Sequence, residues 1–185
     1  MSAYVPSVLK RAIFVENFDS FLTLVEAIKL TRAWQECAII YSAGYRGSAS
    51  TIRIRGESQF LTINMASETA IADFHSWWYR ESTERVECYF WGDLDFEGLK
   101  ILKALRLNFE HIQAWQPGYD LMVDYHEQGM SHSPEQTNKQ NQLEPGLSQC
   151  RYADTVLRPL LLSSQRFVDQ EIVNKSQLQN ILMKG

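Results

Sequence analysis

What most constrains this chain is an alternation of short apolar runs with longer amphipathic stretches. RAIFV (11–15), AIIY (38–41), VECYFW (86–91) and IQAW (112–115) are too short for helices and are apolar on both faces, as buried strands are. The stretches between them carry large apolar residues at helical spacing. Phe21, Leu24, Val25 and Ile28 predict a helix over 18–33. Ile71, Phe74, Trp77 and Trp78 predict one over 69–80, and Phe96, Leu99, Leu102 and Leu105 one over 96–107. Strands alternating with helices predict an α/β domain around a mostly parallel four-stranded sheet flanked by helices.

The remaining segments fill in the organisation. Residues 51–65 (TIRIRGESQFLTINM) alternate at period two around Arg55-Gly56-Glu57-Ser58, which suggests a hairpin-like β insertion. Residues 129–149 are rich in Ser, Gln, Asn, Pro and Gly and read as a long surface loop, either a flexible excursion or a functional one. Beyond it, 152–162 and 164–183 look mainly helical, with Pro159 interrupting the first. A single domain over 1–185 is expected, with its core over 11–118 and a helical C-terminal part over 150–185.

Several function classes drop out on composition. No apolar run approaches the ~20 residues needed to span a bilayer, so no membrane partner is expected. Cys37, Cys88 and Cys150 are odd in number and form no Cys-x-x-Cys pair, which argues against a disulfide framework and a zinc knot and fits a reducing cytoplasm. The four histidines form no His-Glu-x-x-His pattern, and His126 and His132 read as solvated. With 22 acidic against 18 basic residues the net charge is −4, so tight autonomous binding to duplex DNA is not expected.

Open α/β sheets place their ligands at the carboxyl ends of the strands, and two of those ends are acidic. The first strand runs into Glu16-Asn17, the third into Gly92-Asp93-Leu94-Asp95. Side chains two apart in an extended segment point the same way, so Asp93 and Asp95 can converge on one ion, and Glu16 can join them from a neighbouring strand. Oxygen ligands without Cys or His suit a hard cation such as Mg²⁺. Gly92 would let the backbone approach closely or take a positive φ. The structural alternative is that Asp95 caps the next helix, as Asn17 or Asp19 would cap the first.

The segments VENFDSFLTL, IIYSAGYRG and YFWGDLDFEGLKILKALR resemble the Toprim (topoisomerase–primase) domain, with its Rossmann-like sheet. More narrowly they resemble the Toprim module of the JetD subunit of Wadjet-type anti-plasmid defence systems, itself similar to the topoisomerase VI A subunit. RFVDQEIV (166–173) is similar to a segment near that family's C-terminus, so Glu171 is expected near the site. The resemblance implies a metal-dependent DNA endonuclease using Mg²⁺ or Mn²⁺. Glu16 matches the residue that binds metal or handles the proton, and Asp93 and Asp95 match the metal-binding pair. Implied partners are DNA, SMC-like subunits of the defence complex and a second copy of the chain. JetD-like proteins carry a further N-terminal region, so basic DNA contacts are expected from there or from partner subunits. No tyrosine can be assigned as a nucleophile, which favours hydrolysis by water.

Arg46, in Gly44-Tyr45-Arg46-Gly47-Ser48, could contact a backbone phosphate or simply sit in a turn, and the loop lacks the Lys-Ser/Thr ending of a P-loop. Arg53 and Arg55 would form one basic face of the insertion, either solvated or set against DNA backbone. Trp77, Trp78, Phe90 and Trp91 read as core. Two rivals remain. One is a degenerate Toprim-like domain that docks proteins or DNA. The other is a phosphoacceptor receiver domain, which needs a lysine where IQAWQPG offers Gln113 and Gln116.

Overall fold

The structure is a computed structural model that describes residues 1–31, 34–42, 52–137 and 139–183. Its centre is the strand β2 (Arg11–Val15), in which Ala12 to Val15 are wholly buried. β2 pairs in parallel with β3 (Cys37–Tyr41) on one side and β5 (Glu87–Trp91) on the other. Together with β1 (Ser2–Tyr4), β4 (Leu61–Thr62) and β6 (Gln113–Ala114) the sheet has the order β4-β1-β3-β2-β5-β6. The four expected strands are all present. The sheet gains two more at its far edge, where β1 runs antiparallel to β3 and parallel to β4.

Residues 52–60 do not form the expected hairpin. They turn back on themselves around Gly56, whose φ of +89° suits glycine, with one bridge between Arg55 and Ser58. The carbonyl of Ile52 accepts from Ser58 Oγ at 2.6 Å and Trp78 Nε1 at 2.8 Å, which ties the turn to the core. Leu61–Thr62 joins the main sheet instead.

The helices α1 (Phe18–Lys29), α2 (Glu68–Trp78) and α3 (Phe96–Leu105) end sooner than their apolar patterns predict. In α1, the Leu30 and Thr31 amides bond back three residues and the Thr31 hydroxyl donates to Ile28 O at 3.1 Å, which closes the last turn. The polar helix α4 (Gln116–Glu127) follows β6. Near the C-terminus a π-helical turn, Ala153–Leu157, leads into α5 (Arg158–Ser164). Pro159 therefore does not break this helix, because wider winding accommodates its ring and missing N–H. Phe167 and Val168 bridge to His132 and Leu94, not helical as expected, before α6 (Lys175–Leu182) packs on α1.

One apolar core runs from Ala3 to Leu182, and Trp77, Trp78, Phe90 and Trp91 lie in it. Cys37, Cys88 and Cys150 are free and buried. Among the described residues no helix is long and apolar enough to cross a membrane.

Candidate functional site

β2 and β5 lie in register, Val15 opposite Trp91, so the residues that follow them emerge side by side. The Glu16 amide continues the pairing by donating to Trp91 O at 3.1 Å, and Glu16 Oε2 accepts from the Asp93 amide at 3.1 Å. Gly92 is needed between them for close approach rather than for a positive φ. A Cβ there would lie 2.4 Å from Glu16 Oε2 and 2.6 Å from Phe90 Cζ.

Each aspartate divides its two oxygens. Asp93 Oδ1 accepts from the Gln170 amide at 2.8 Å, and its Oδ2 lies 2.9 Å from Lys139 Nζ. Asp95 Oδ1 accepts from the Gly98 amide at 2.8 Å, which makes it the N-cap of α3, and its Oδ2 lies 2.8 Å from the same ammonium. Both readings of Asp95 thus hold together: it caps a helix and faces the cluster. Asn17 caps α1 through the amides of Asp19 and Ser20.

The surroundings supply more charge than the sequence suggested. Asp169 Oδ1 is 2.8 Å from Lys139 Nζ, and Asp169 Oδ2 is 3.1 Å from His132 Nε2. His132 is therefore partly enclosed beside Asp169, not solvated, although its Nε2 makes no hydrogen bond there. Glu171 bonds to the Asn17 side chain, beside Glu16. The loop over 129–149 is pinned across the site. Besides Lys139, Gln142 Nε2 donates to Asp95 Oδ2 at 2.9 Å, and Gln142 Oε1 accepts from the Glu97 amide at 3.2 Å.

Burial, then the Asp93 and Asp95 charges, push the Glu16 carboxyl up to about 8. Burial raises Asp93 as well, against the pull of Lys139. For Lys139, burial works against the charge, but Asp93 and Asp95 outweigh it and hold the ammonium above its ordinary range. Tyr119 accepts from the Gly92 amide at 3.1 Å, and burial raises its hydroxyl well above its ordinary value.

The donor set fits a hard divalent cation: carboxylate oxygens alone, a glycine that makes room for Glu16, and a position already stabilising a positive charge. Among the described residues, however, no three His, Cys, Asp or Glu side chains stand ready to hold an ion. Arg46 and its loop lie outside the described residues. Arg53 and Arg55 share no strand face and lie away from the carboxylates. Arg53 is half-buried against Trp78 O at 2.6 Å and Asn108 O at 3.0 Å, and exposed Arg55 pairs with Glu81 at 2.8 Å.

The family described as "Wadjet protein JetD, C-terminal" matches residues 3–181. The chain belongs to this family. JetD membership ties it to the Wadjet defence system, and the match covers all of the sheet but the first residue of β1, with both acidic strand ends. No curated protein matches the chain.

Lys139 and Asp169 were missed by sequence reasoning. Lys139 is the one Lys or Arg in 129–149, a weak signal that nonetheless marks where an acidic site could find a counter-charge.

Proposed function

We propose that this JetD-family domain is a Toprim-type, metal-dependent DNA endonuclease module of a Wadjet anti-plasmid complex. The observation that carries the reading is the delivery of Glu16, Asp93 and Asp95 to one place by two adjacent parallel strands. These three residues would hold Mg²⁺ or Mn²⁺, which when bound would supply Lewis-acid stabilisation of phosphate charge. Glu16 Oε2 is spent on the Asp93 amide, and its other oxygen is left to take a proton from an attacking water. Burial and the neighbouring aspartates raise the proton affinity of this carboxyl above the ordinary range, as a proton acceptor requires. Tyr119 is fully buried with its oxygen bonded, so water rather than this tyrosine is the nucleophile. DNA is drawn in by partner subunits and by Arg46 and Arg55 more than by net charge, with Arg53 committed to backbone carbonyls.

The test is plasmid cleavage by the assembled complex with Mg²⁺, Mn²⁺ or chelator. Asp93→Asn is expected to lose at least a hundredfold in rate, and undiminished cutting by that variant would refute the assignment. Melting of the chain alone adds a second measure. A cation at a hundredfold excess over its Kd stabilises a fold by about 2.7 kcal/mol, and Asp93→Asn should lose most of that rise. A second reading, a degenerate module that docks protein or DNA, is favoured by the way Lys139 already neutralises the aspartates. Intact folding with no metal response in the wild type would select it.

A further inference from the structure

Asp93 and Asp95 each leave one oxygen free of backbone hydrogen bonds, and Lys139 takes both. Its third N–H meets Asp169 Oδ1, so three donors are spent on three carboxylates at 2.8–2.9 Å. The Lys139 side chain is only 18% exposed and that of Asp95 only 2%, and long charged side chains go under only when paired. We propose that Lys139 is a built-in cation plug: it fills the position between Asp93, Asp95 and Asp169 that a divalent ion would take, so the ion enters only as Lys139 leaves. This rests on the metal-site reading above and adds a competitor and a further carboxylate, Asp169.

Two observations point to an exit for the plug. Lys139 and Gln142 both contact Asp95 Oδ2, so an ion at that oxygen would disturb two of the contacts that hold this stretch on the site. An ion bound at that oxygen displaces Lys139, because an ammonium and a divalent cation repel each other at such separation, and it competes with the Gln142 amide for the same oxygen. The segment has little apolar anchorage, with Met130, Leu143 and Leu147 all exposed. Its ends are held independently of the ion. His132 pairs through its backbone with Phe167, and Ser148 donates to Asp154 at 2.8 Å. Arg158 on Glu144 and Lys103 on the Pro145 carbonyl hold the stretch beyond Leu143, so release frees 139–143 and leaves the rest in place.

The test is titration of the wild-type chain, Lys139→Met and Asp93→Asn with Mg²⁺ and Mn²⁺, followed by calorimetry and by melting. Lys139→Met should bind the ion at least tenfold more tightly than wild type, with a larger metal-induced rise in Tm. Equal or weaker binding overturns the plug. In the wild type, which needs no variant to fold, either metal should speed amide exchange over 139–143 and leave His132 and Phe167 protected. Unchanged or slowed exchange there also overturns it. If Asp93→Asn responds to metal as wild type does, the metal site itself fails and the plug with it. If Asp93→Asn loses the response while Lys139→Met binds no tighter, the site stands and only the plug falls.

Discussion

At the carboxyl ends of β2 and β5, Glu16, Asp93 and Asp95 face one another and a lysine. At the amino ends of β5 and β6, Arg53, Arg80, Arg85 and Arg106 line a cleft of about 950 Å³. By its volume alone the cleft would be a candidate binding site. Three of its four arginines are occupied, though. Arg53 donates to the carbonyls of Trp77 and Trp78, the last of α2, and to Asn108 beyond α3, and its guanidinium lies 4.6 Å from the Phe109 ring centre. Arg106 donates to Ile112 O and Arg80 to Asn108. Arg53 and Arg80 bond carbonyls at or just beyond the ends of α2 and α3, and Arg106 bonds one ahead of β6. The carboxylates at the other end are held close to like charges, and Asp93 and Glu16 pay for their position with raised pKa values. Charge placed where it satisfies the backbone serves the fold. Charge placed against like charge is a candidate for function.

The largest expected effect tests the first half of that contrast. Arg53→Ala should destabilise the domain by about 3 kcal/mol in urea unfolding, since it removes three charge-assisted hydrogen bonds, leaves the Trp78 carbonyl without its donor and loses a ring contact. Burial, then Arg80, lower the guanidinium to about 10, which still leaves it charged at neutral pH. A loss below about 1 kcal/mol would make the cleft a free basic surface and dissolve the contrast.

The next effect tests the other half through pH. An unfolded Glu16 releases its proton near 4.5, whereas the folded one holds it until about 8. Between those values the unfolded chain binds fewer protons, so metal-free stability must fall as pH rises through that window. Below it both states are protonated and the residue contributes nothing. At ~1.4 kcal/mol per unit the full shift would amount to about 5 kcal/mol, and relaxation of the site reduces the expected loss to about 2–3 kcal/mol. Glu16→Gln should remove that part of the slope and exceed wild type in stability at pH 9. A wild-type-minus-mutant difference that is constant from pH 5 to 9 would show that Glu16 is not strained by its neighbours.

The two ends also differ in how legible they were. β2, β3 and β5 announce themselves as apolar runs, because strands buried on both faces need no polar alternation. The acidic strand ends followed from them directly. β1 is three residues long and had no periodicity to read, and α4 buries only Gly118, Tyr119 and Met122 among polar neighbours. The role of Arg53 was hidden because its carbonyl partners lie 24 to 55 residues away on helix ends. Lys139 was hidden for the same reason, 46 residues from Asp93 and 30 from Asp169. Patterning reads what a segment buries. It does not read which distant group a lone charge will meet.

Asp95 joins both uses of charge in one side chain, and the smallest prediction separates them. Its Oδ1 serves the backbone by accepting from the Gly98 amide, as Arg53 serves carbonyls at the far end. Its Oδ2 faces Lys139 and the position proposed for a cation. Asparagine keeps an oxygen for the cap and loses the charge, whereas alanine loses both. Asp95→Asn should therefore lie within about 0.5 kcal/mol of wild type in metal-free unfolding, and Asp95→Ala should lose about 1 kcal/mol or slightly more. The cap matters beyond its own bond, because the first turn of α3 is pressed on the site. A Cβ at Gly98 would sit 2.2 Å from Asp93 O, so loosening that turn also loosens Asp93. Both variants should lose the metal-induced rise in Tm to the same extent, since each removes the negative charge of Oδ2. If asparagine destabilises as much as alanine, the charge rather than the cap holds Asp95 in the fold, with Lys139 as the partner that requires it. If asparagine instead keeps the full metal response, Asp95 belongs with Arg53 among the structural charges, and the cation position shrinks to the oxygens of Glu16, Asp93 and Asp169.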